Sequence, residues 1–203
     1  GGSLNALVGL LAAVIDALAS GQGRYVDVSM TDGVFTHMLF PFLAVQGLGR
    51  AVPRGEDILS GGMPSYAVYA TSDGRHFAVS AMEPKFWQTF CAAIERPDLA
   101  AFAFAYGEEG ERIRGELQRV FARKSFAEWT AIFEHADCCV SPVLRLEESM
   151  RNEQIVARKL VVESNGVKQL APPFKIGDHR FAVRRPAPRQ GEHSREILRE
   201  LGL

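Results

Sequence analysis

The chain has 203 residues, of which 47% are hydrophobic and 23% are charged, and its formal net charge at pH 7 is −1. This composition indicates a globular protein with one large or two small domains, and the balanced charge argues against a nucleic-acid-binding protein. Its three cysteines, Cys91, Cys138 and Cys139, have no regular spacing. An odd number of unspaced cysteines favours a reducing compartment over a disulfide framework, so we expect a cytoplasmic protein.

The beginning of the chain is an apolar run over residues 4–18. A signal peptide is disfavoured because no basic residue precedes Arg24 and because Asp16 interrupts the run. A membrane span is disfavoured because the run is shorter than the ~20 apolar residues that a bilayer requires. Its apolar residues recur at positions i, i+3 and i+4, which predicts a buried helix that Ser3 caps and Gly21 ends.

A β-branched segment at residues 25–30 predicts a short strand. Thr31 or Asp32 is the expected N-cap of a second helix, which runs through Phe42. One short strand between two helices cannot form a parallel sheet alone, so its partner strands are expected from chain outside this sequence or from another subunit. Asp27 and Asp32 are assigned no catalytic role, because capping explains Asp32.

A hairpin is predicted after the polar stretch at residues 48–59, whose glycines and prolines indicate a linker between domains. Residues 66–70 and 76–81 are rich in aromatic and β-branched residues, which favour strands. The sequence Ser-Asp-Gly between them predicts a tight turn in which Gly74 supplies the positive φ.

Glu83 stands where the second strand of this hairpin ends and a helix begins. Pro84 suits the first helical position because its φ is fixed and it lacks an N–H group. An acidic residue at a helix start can simply stabilise the positive end of the helix dipole. A carboxylate held at a strand-to-helix junction can also serve in catalysis, so both interpretations stand at this point.

The hairpin region resembles a known family. Its sequence, SGGMPSYAVYATSDGRHFAVSAMEPKFW, has the order G-G-x-P-x-Y, then D-G-[RK], then E-P-x-F. This order is similar to that of the family III CoA-transferases (CaiB/BaiF family), in particular the α-methylacyl-CoA racemase branch. The earlier segment GQGRYVDVSMTDG resembles the end of the large N-terminal domain of the same family.

The resemblance implies a fold and a domain organisation. We expect an α/β chain that holds the remainder of a Rossmann-like large domain and a smaller α+β domain, truncated at the N-terminus. Residues 1–47 would end the large domain and residues 48–59 would form the linker. Residues 60–160 would form the small domain, and residues 161–203 would return to the large domain and end in a helix that packs on it.

The resemblance also assigns site residues and partners. It implies that Glu83 is an active-site carboxylate and that Tyr66, with Gly61 and Gly62, contacts an acyl-CoA thioester substrate. Coenzyme A is then part of the substrate, and we expect no other cofactor and no metal. An interlocked homodimer is expected, with neither a nucleic acid nor a membrane as partner.

The chemistry leaves three readings open. A racemase must remove the acidified α-proton of a 2-methylacyl-CoA and return one on the other face, which requires two proton-transferring groups and stabilisation of the enolate. In the racemase branch, Glu83 is complemented by an Asp and a His that lie before the region matched here. The transferase branch uses an Asp there as a nucleophile. We therefore expect a racemase or epimerase, with a CoA-transferase or a non-catalytic fragment as alternatives.

The rest of the small domain is predicted to be mainly helical, with helices at residues 84–95, 111–122, 125–135 and 146–152. Ser125 is the expected cap of the third of these, in a capping box with Glu128. A short extended run is predicted after Cys138 and Cys139. Together with His135, these cysteines match none of the usual zinc spacings, so a metal site is disfavoured.

The final part of the chain predicts a second hairpin, VVESNGVKQL, whose turn is Asn165-Gly166. A basic cluster of Arg184, Arg185 and Arg189 is interleaved with prolines and is interpreted as a solvated connector. Residues 191–203 predict a short amphipathic helix.

Overall fold

The computed structural model describes residues 1–164, 166–178 and 187–203. The chain separates into two compact units, Gly1–Pro142 and Val143–Leu203. The first unit contains helices α1 (Gly2–Ser20), α2 (Met30–Thr36) and α3 (Leu39–Leu48), strands β1 (Tyr66–Ala70) and β2 (His76–Ser80), helix α4 (Pro84–Ala93), a 3₁₀ helix at Pro97–Phe102, helices α5 (Gly107–Phe121) and α6 (Phe126–Phe133), and strand β3 (Val140–Pro142). The second unit contains α7 (Leu146–Ser149), α8 (Glu153–Ala157), β4 (Val161–Ser164), β5 (Val167–Leu170) and α9 (Ser194–Glu200).

The predicted first helix is present as α1, and it ends at Gly21, whose φ of 72° places it in the left-handed region that favours glycine. Two details of the prediction are wrong. The N-cap is Gly1 rather than Ser3, and the helix contains no buried residue. Its apolar side chains are exposed because, among the described residues, the helix packs mainly beside α2 and is not covered by a sheet.

The length of α1 also changes one sequence argument. The helix has 19 residues, and it is long and apolar enough to cross a membrane by length and composition alone. Length therefore does not exclude a membrane span, contrary to the expectation from the apolar run at residues 4–18. Core helices and signal sequences meet the same criterion, so this feature alone identifies none of the three.

The strand predicted at residues 25–30 is absent, since residues 22–29 have no regular structure. Strand geometry requires a hydrogen-bonded neighbour, and the described residues place none beside this segment. The segment lies along α1 instead, so that a Cβ added to Gly9 would meet Val26 Cγ1 at 3.3 Å and Val28 Cγ2 at 3.4 Å.

The second helix differs from its prediction at both ends. Its N-cap is Ser29, whose hydroxyl accepts a hydrogen bond from the Asp32 N–H at 3.2 Å. Neither Thr31 nor Asp32 is the cap, because the acceptor must precede the first free N–H groups. The helix does not run on to Phe42 but breaks after Thr36, and α3 begins at Leu39.

The predicted hairpin is confirmed. Strands β1, β2 and β3 form an antiparallel sheet in that order, with Tyr66 opposite Ser80 and Phe77 opposite Pro142. Gly74 in the turn has a φ of 73°, as its role requires. The strand after Cys139 is therefore also confirmed, and it adds a third strand to the hairpin.

One face of this sheet packs against α4, α5 and α6 to form the core of the first unit. Phe121 lies near the centre of that core, with its ring 5.1 Å from the Tyr69 ring and 5.1 Å from the Trp129 ring. Both tryptophans donate their indole N–H to a backbone carbonyl, Trp87 to Leu99 at 3.0 Å and Trp129 to Phe121 at 2.9 Å. Such aromatic packing with satisfied polar atoms fixes the sheet and the helices relative to each other.

The helices of this core follow the predictions closely. Ser125 caps α6 in the predicted capping box, and the Glu128 carboxylate accepts from the Ser125 N–H at 2.7 Å. Helix α5 begins at Gly107, four residues before the predicted start at residue 111.

The second unit contains the predicted second hairpin, in which Val161 of β4 pairs with Leu170 of β5. Gly166 has a φ of 75°, whereas Asn165 lies outside the described residues. The helix predicted at residues 146–152 is shorter and is followed by α8. Arg184 and Arg185 also lie outside the described residues. The domain boundaries at residues 47, 59 and 160 stay predictions.

Candidate active site

The Gly61-Gly62 turn leads the chain into β1. Gly61 has a φ of 110°, which only glycine adopts without strain. A Cβ on Gly62 would lie 2.0 Å from the Glu56 carbonyl oxygen, so this position tolerates no side chain. The Gly62 N–H donates to the Asp57 carbonyl at 3.0 Å. The two glycines therefore serve different needs, and together they produce a tight reversal of the chain.

The residues after this turn are firmly anchored in the core. The buried Ser65 hydroxyl donates to the Ala103 carbonyl at 2.6 Å. The Tyr69 hydroxyl donates to the Pro64 carbonyl at 2.8 Å, and burial raises the pKa of Tyr69 far above its usual value, so the phenol stays protonated. These bonds hold the start of β1, and with it Tyr66, in one place.

Tyr66 and Gly61 line an open pocket of about 850 Å³. The pocket lies beside strand β1 and helix α5, and Arg114 and Gln118 of that helix form part of its wall. The structure thus brings together two of the four predicted site residues. Gly62 is connected to the pocket through its carbonyl, which accepts a hydrogen bond from Arg114. Glu83 is not part of this lining.

Glu83 is exposed at the predicted strand-to-helix junction. It is the N-cap residue of α4, with φ −76° and ψ 139°, and Pro84 follows as the first helical residue. The Glu83 carbonyl accepts from the Trp87 N–H at 3.0 Å, but its carboxylate makes no capping hydrogen bond. Backbone geometry therefore accounts for the cap without a hydrogen bond to the carboxylate.

Cys139 is an electrostatic neighbour of Glu83. Burial raises the pKa of the Cys139 thiol, and the negative charges of Glu83 and Asp137 raise it further, whereas Lys85 lowers it. A neutral thiol beside the carboxylate follows from these effects. The sequence only disfavoured a metal-binding role for Cys139, and nothing in its local sequence indicates that it lies near Glu83.

Helix α5 contributes two residues to the pocket, Arg114 and Gln118, that were not predicted from the sequence. Gln118 uses both ends of its amide, accepting from the Ala70 N–H at 3.0 Å and donating to the Ala70 carbonyl at 2.8 Å. It thereby satisfies part of the open edge of β1. Arg114 holds the Gly62 carbonyl. Both contacts join positions about fifty residues apart, and neither has a signature in the local sequence.

Within the described ranges, no group of three or more His, Cys, Asp or Glu side chains lies close enough together to hold a metal ion. The polar groups around the pocket are instead an arginine, an amide, hydroxyl groups and backbone atoms.

Comparison with known proteins assigns the chain to a family. Residues 1–194 match the model of CoA-transferase family III. The chain belongs to this family. It is 32% identical over 207 residues to an alpha-methylacyl-CoA racemase from Mus musculus, and over 212 residues to that from Homo sapiens. Each alignment covers 100% of this chain and 54% of the relative, so the chain spans about half the length of these curated relatives.

Other members of the family carry different reactions in their names. A succinyl-CoA:mesaconate CoA-transferase from Haloarcula hispanica is 28% identical over 214 residues, covering 98% of this chain and 52% of the relative. A crystal structure of a CAIB/BAIF family protein from Brucella suis aligns with a TM-score of 0.76 at 17% identity, covering 98% of this chain and 54% of that one. At this identity the structural match shows the fold alone, and it confirms the predicted α/β fold of family III over about half of its length.

Proposed function

We propose that the protein is an acyl-CoA racemase or epimerase that acts on a 2-methylacyl-CoA thioester. The observation that carries this proposal is the position of Glu83, an exposed carboxylate at a rigid strand-to-helix junction that is not used for capping. The 32% identity to alpha-methylacyl-CoA racemases, against 28% for the Haloarcula transferase, supports the same branch.

The proposed chemistry is proton transfer at the α-carbon next to the thioester carbonyl. Glu83 removes the α-proton from one face or returns it, and a second acid/base group on the opposite face completes the inversion. That second group and the groups that stabilise the enolate lie in the part of the family fold that this chain does not span. The chain alone is therefore proposed to lack a complete catalytic set.

Substrate binding is assigned to the Gly61-Gly62 turn and to Tyr66. The two glycines have no side chains, so a ligand can approach the backbone of this turn closely. Tyr66 contributes an aromatic ring to the lining of the pocket. Coenzyme A is part of the substrate in this proposal, with no further cofactor and no metal. We also propose a cytoplasmic homodimer.

A CoA-transferase is the second candidate, since several relatives have that name. In that case CoA moves between carboxylic acids through a nucleophilic carboxylate, and the α-proton stays in place. A non-catalytic chain that contributes only a binding or dimerisation surface is the third candidate.

The test is an exchange experiment on the protein at its full native length. A 2-methylacyl-CoA is incubated in D₂O, and deuterium at the α-carbon is followed by NMR or mass spectrometry. In parallel, transfer of CoA to a second, free carboxylic acid is measured. Deuterium incorporation without transfer supports the racemase. Transfer without deuterium incorporation identifies a transferase, and neither reaction identifies a non-catalytic protein.

A further inference from the structure

Strand β1 lies at one edge of the three-stranded sheet, and its outer row of backbone groups is only partly satisfied. The side-chain amide of Gln118 binds both the N–H and the carbonyl of Ala70, so the backbone groups of Ala70 point away from β2. The N–H of the next residue, Thr71, donates the other way, to the Arg75 carbonyl at 2.8 Å. Because backbone groups alternate in direction along a strand, the N–H and carbonyl of Val68 also point away from β2.

These two groups of Val68 have no hydrogen-bond partner in another element among the described residues. The neighbours in the same row limit how far the open stretch extends. The Tyr66 N–H donates to the Met63 carbonyl at 3.2 Å, and Ala70 is held by Gln118. The open stretch therefore consists of the Tyr66 carbonyl and the N–H and carbonyl of Val68.

This open stretch faces the pocket of about 850 Å³. Val68 lines the pocket together with Ala78, its partner on the outer face of the sheet, and with Gly115 of α5. The edge of β1 lies between these two walls. Gly115 precedes Gln118 by three residues on the same helix face, and it has no side chain that could cover the edge as Gln118 does. Packing does not require a glycine there, since a Cβ would meet only Arg119 Nη1, at 3.9 Å.

The length of the open stretch favours a small amide ligand over a protein strand. A peptide that adds to a sheet edge binds through a row of main-chain hydrogen bonds, and strands in proteins are usually about 5–6 residues long. Here the row is closed at Tyr66 on one side and by Gln118 on the other, so Val68 alone offers a complete pair of N–H and carbonyl. One such pair fits a single amide-bearing unit.

We propose that Val68 binds the pantetheine arm of coenzyme A, donating its N–H to an amide carbonyl of the arm and accepting an amide N–H at its own carbonyl. This inference rests on the proposed function for the presence of an acyl-CoA. The arm is a linear chain with two amides joined through a β-alanine unit, which carries one N–H and one carbonyl, as a residue in a strand does. Tyr66 lies two residues away in the same row and lines the same pocket, so an arm held at Val68 keeps the thioester near this residue.

The test is amide hydrogen exchange at residue resolution on the native-length protein, with and without saturating 2-methylbutyryl-CoA. We expect the ligand to slow exchange of the Val68 N–H at least ~10-fold, as one new hydrogen bond allows. The Ala70 N–H, which Gln118 already binds, is the internal control and should change little. ADP lacks the pantetheine arm and should leave the Val68 N–H unchanged. Val68→Ala keeps the N–H and should keep its protection by the ligand.

A second measurement removes the donor itself. Val68→Pro deletes an N–H that points away from β2, so the ladder with β2 keeps its hydrogen bonds. We expect the Kd for 2-methylbutyryl-CoA to rise about 2- to 10-fold by isothermal titration calorimetry, with kcat for α-proton exchange little changed. An unchanged Kd overturns the proposal. Hydrogen exchange on the parent protein does not depend on how well this variant folds.

The remaining outcomes separate this inference from other occupants of the edge and from the proposed function. A Val68 N–H that is already protected without ligand would mean that another protein segment closes the edge, which overturns the proposal. Equal slowing by ADP also overturns it. Normal α-proton exchange with an unprotected Val68 N–H overturns this inference alone. Protection by 2-methylbutyryl-CoA without any α-proton exchange leaves it standing while the proposed function fails.

Discussion

The carbonyl oxygen of Cys139 accepts two hydrogen bonds from Ser80, one from the backbone N–H and one from the hydroxyl, each 3.0 Å long. Cys139 has a φ of 53°, a conformation that costs a non-glycine residue roughly 1–2 kcal/mol. The double contact secures the end of β2 three residues before Glu83. Strain at Cys139 is thus coupled to the segment that positions the candidate catalytic carboxylate.

Removing the hydroxyl of Ser80 should weaken this contact without breaking the sheet. We expect Ser80→Ala to lower the free energy of unfolding by about 0.5–1.5 kcal/mol, because the backbone hydrogen bond remains. Urea denaturation measures the change. Ser141→Ala, at an exposed position of β3, is the matched control and should stay within about 0.5 kcal/mol of the parent. Equal losses in both variants would contradict a specific role for the Ser80 hydroxyl.

The two glycines at positions 62 and 115 should respond oppositely to alanine. Gly62→Ala places a Cβ against backbone oxygen of Glu56 at 2.0 Å, so we expect a loss of roughly 2 kcal/mol or more. Gly115→Ala meets only Arg119 Nη1, at an ordinary contact distance of 3.9 Å, in the interior of helix α5, so it should stabilise the protein by about 0.5–1 kcal/mol. Thermal unfolding of both variants checks this. A stable Gly62→Ala protein would mean that the turn can open without cost.

Elements whose hydrogen-bond partners are close in sequence could be predicted from the sequence, and elements with distant partners could not. The hairpin, the Ser125 capping box and the Glu83-Pro84 helix start rest on neighbouring residues, and all three are present. The strand at residues 25–30 failed because strand geometry depends on a partner strand, and its own sequence cannot supply one. Local pattern therefore predicted elements well and failed where hydrogen bonds had to come from elsewhere.

The candidate site was only partly predictable for the same reason. Gly61 and Tyr66 were identified through the resemblance of one continuous segment, and both line the pocket. Arg114 and Gln118 reach the site only because α5 crosses the start of β1, which no local pattern indicates. Cys139 is brought beside Glu83 by the pairing of β2 with β3.

Asp73 should make the stability of the first unit depend on pH. Its carboxylate accepts a hydrogen bond from the Thr71 hydroxyl. Its two oxygens also accept from the Phe126 N–H at the start of α6, at 3.1 and 3.2 Å. Both hydrogen bonds lower the pKa of Asp73 below its usual value of 3.8, and the bond from Thr71 has the larger effect. A lowered folded pKa means that this stabilisation is present above the unfolded pKa and is lost as pH falls through the folded pKa.

The measurement is the free energy of unfolding between about pH 2.5 and pH 7 for the parent and for Asp73→Asn. Asparagine has no titrating carboxylate, so the parent should lose more stability than the variant as the pH falls below 3.8. Parallel curves for the two proteins would show that Asp73 does not link the hairpin turn to α6.

Helices α1 and α3 should cause the 203-residue chain to associate. Their large apolar side chains are widely exposed, including Leu11 at 53% and Leu18 at 83%. Contiguous apolar surface of this kind drives association, and light scattering should detect a dimer or larger species. Changing Leu11 and Leu18 together to Glu should reduce it, whereas Gln88→Glu on exposed α4 surface should not. A monodisperse monomer that melts cooperatively would contradict this prediction.

Glu83 and Glu128 form a matched pair of carboxylates at helix starts. The Glu128 carboxylate accepts from both the N–H and the hydroxyl of Ser125 at 2.7 Å, and these bonds lower its pKa. The Glu83 carboxylate makes no such capping bond. Replacing each by Gln therefore removes the same charge from two different environments, only one of which is structural.

In the native-length protein, Glu83→Gln should reduce exchange of the substrate α-proton by ~10²- to 10⁴-fold, which is typical for the loss of a general acid or base. Its stability should change little. Glu128→Gln should show the reverse, with measurable destabilisation and normal exchange, because it weakens a capping box far from the chemistry in sequence. Both quantities are measured on both variants, by deuterium incorporation and by urea unfolding. If Glu83→Gln lowered stability while exchange stayed intact, the carboxylate would act only on the helix dipole, and the racemase proposal would lose the residue on which it rests.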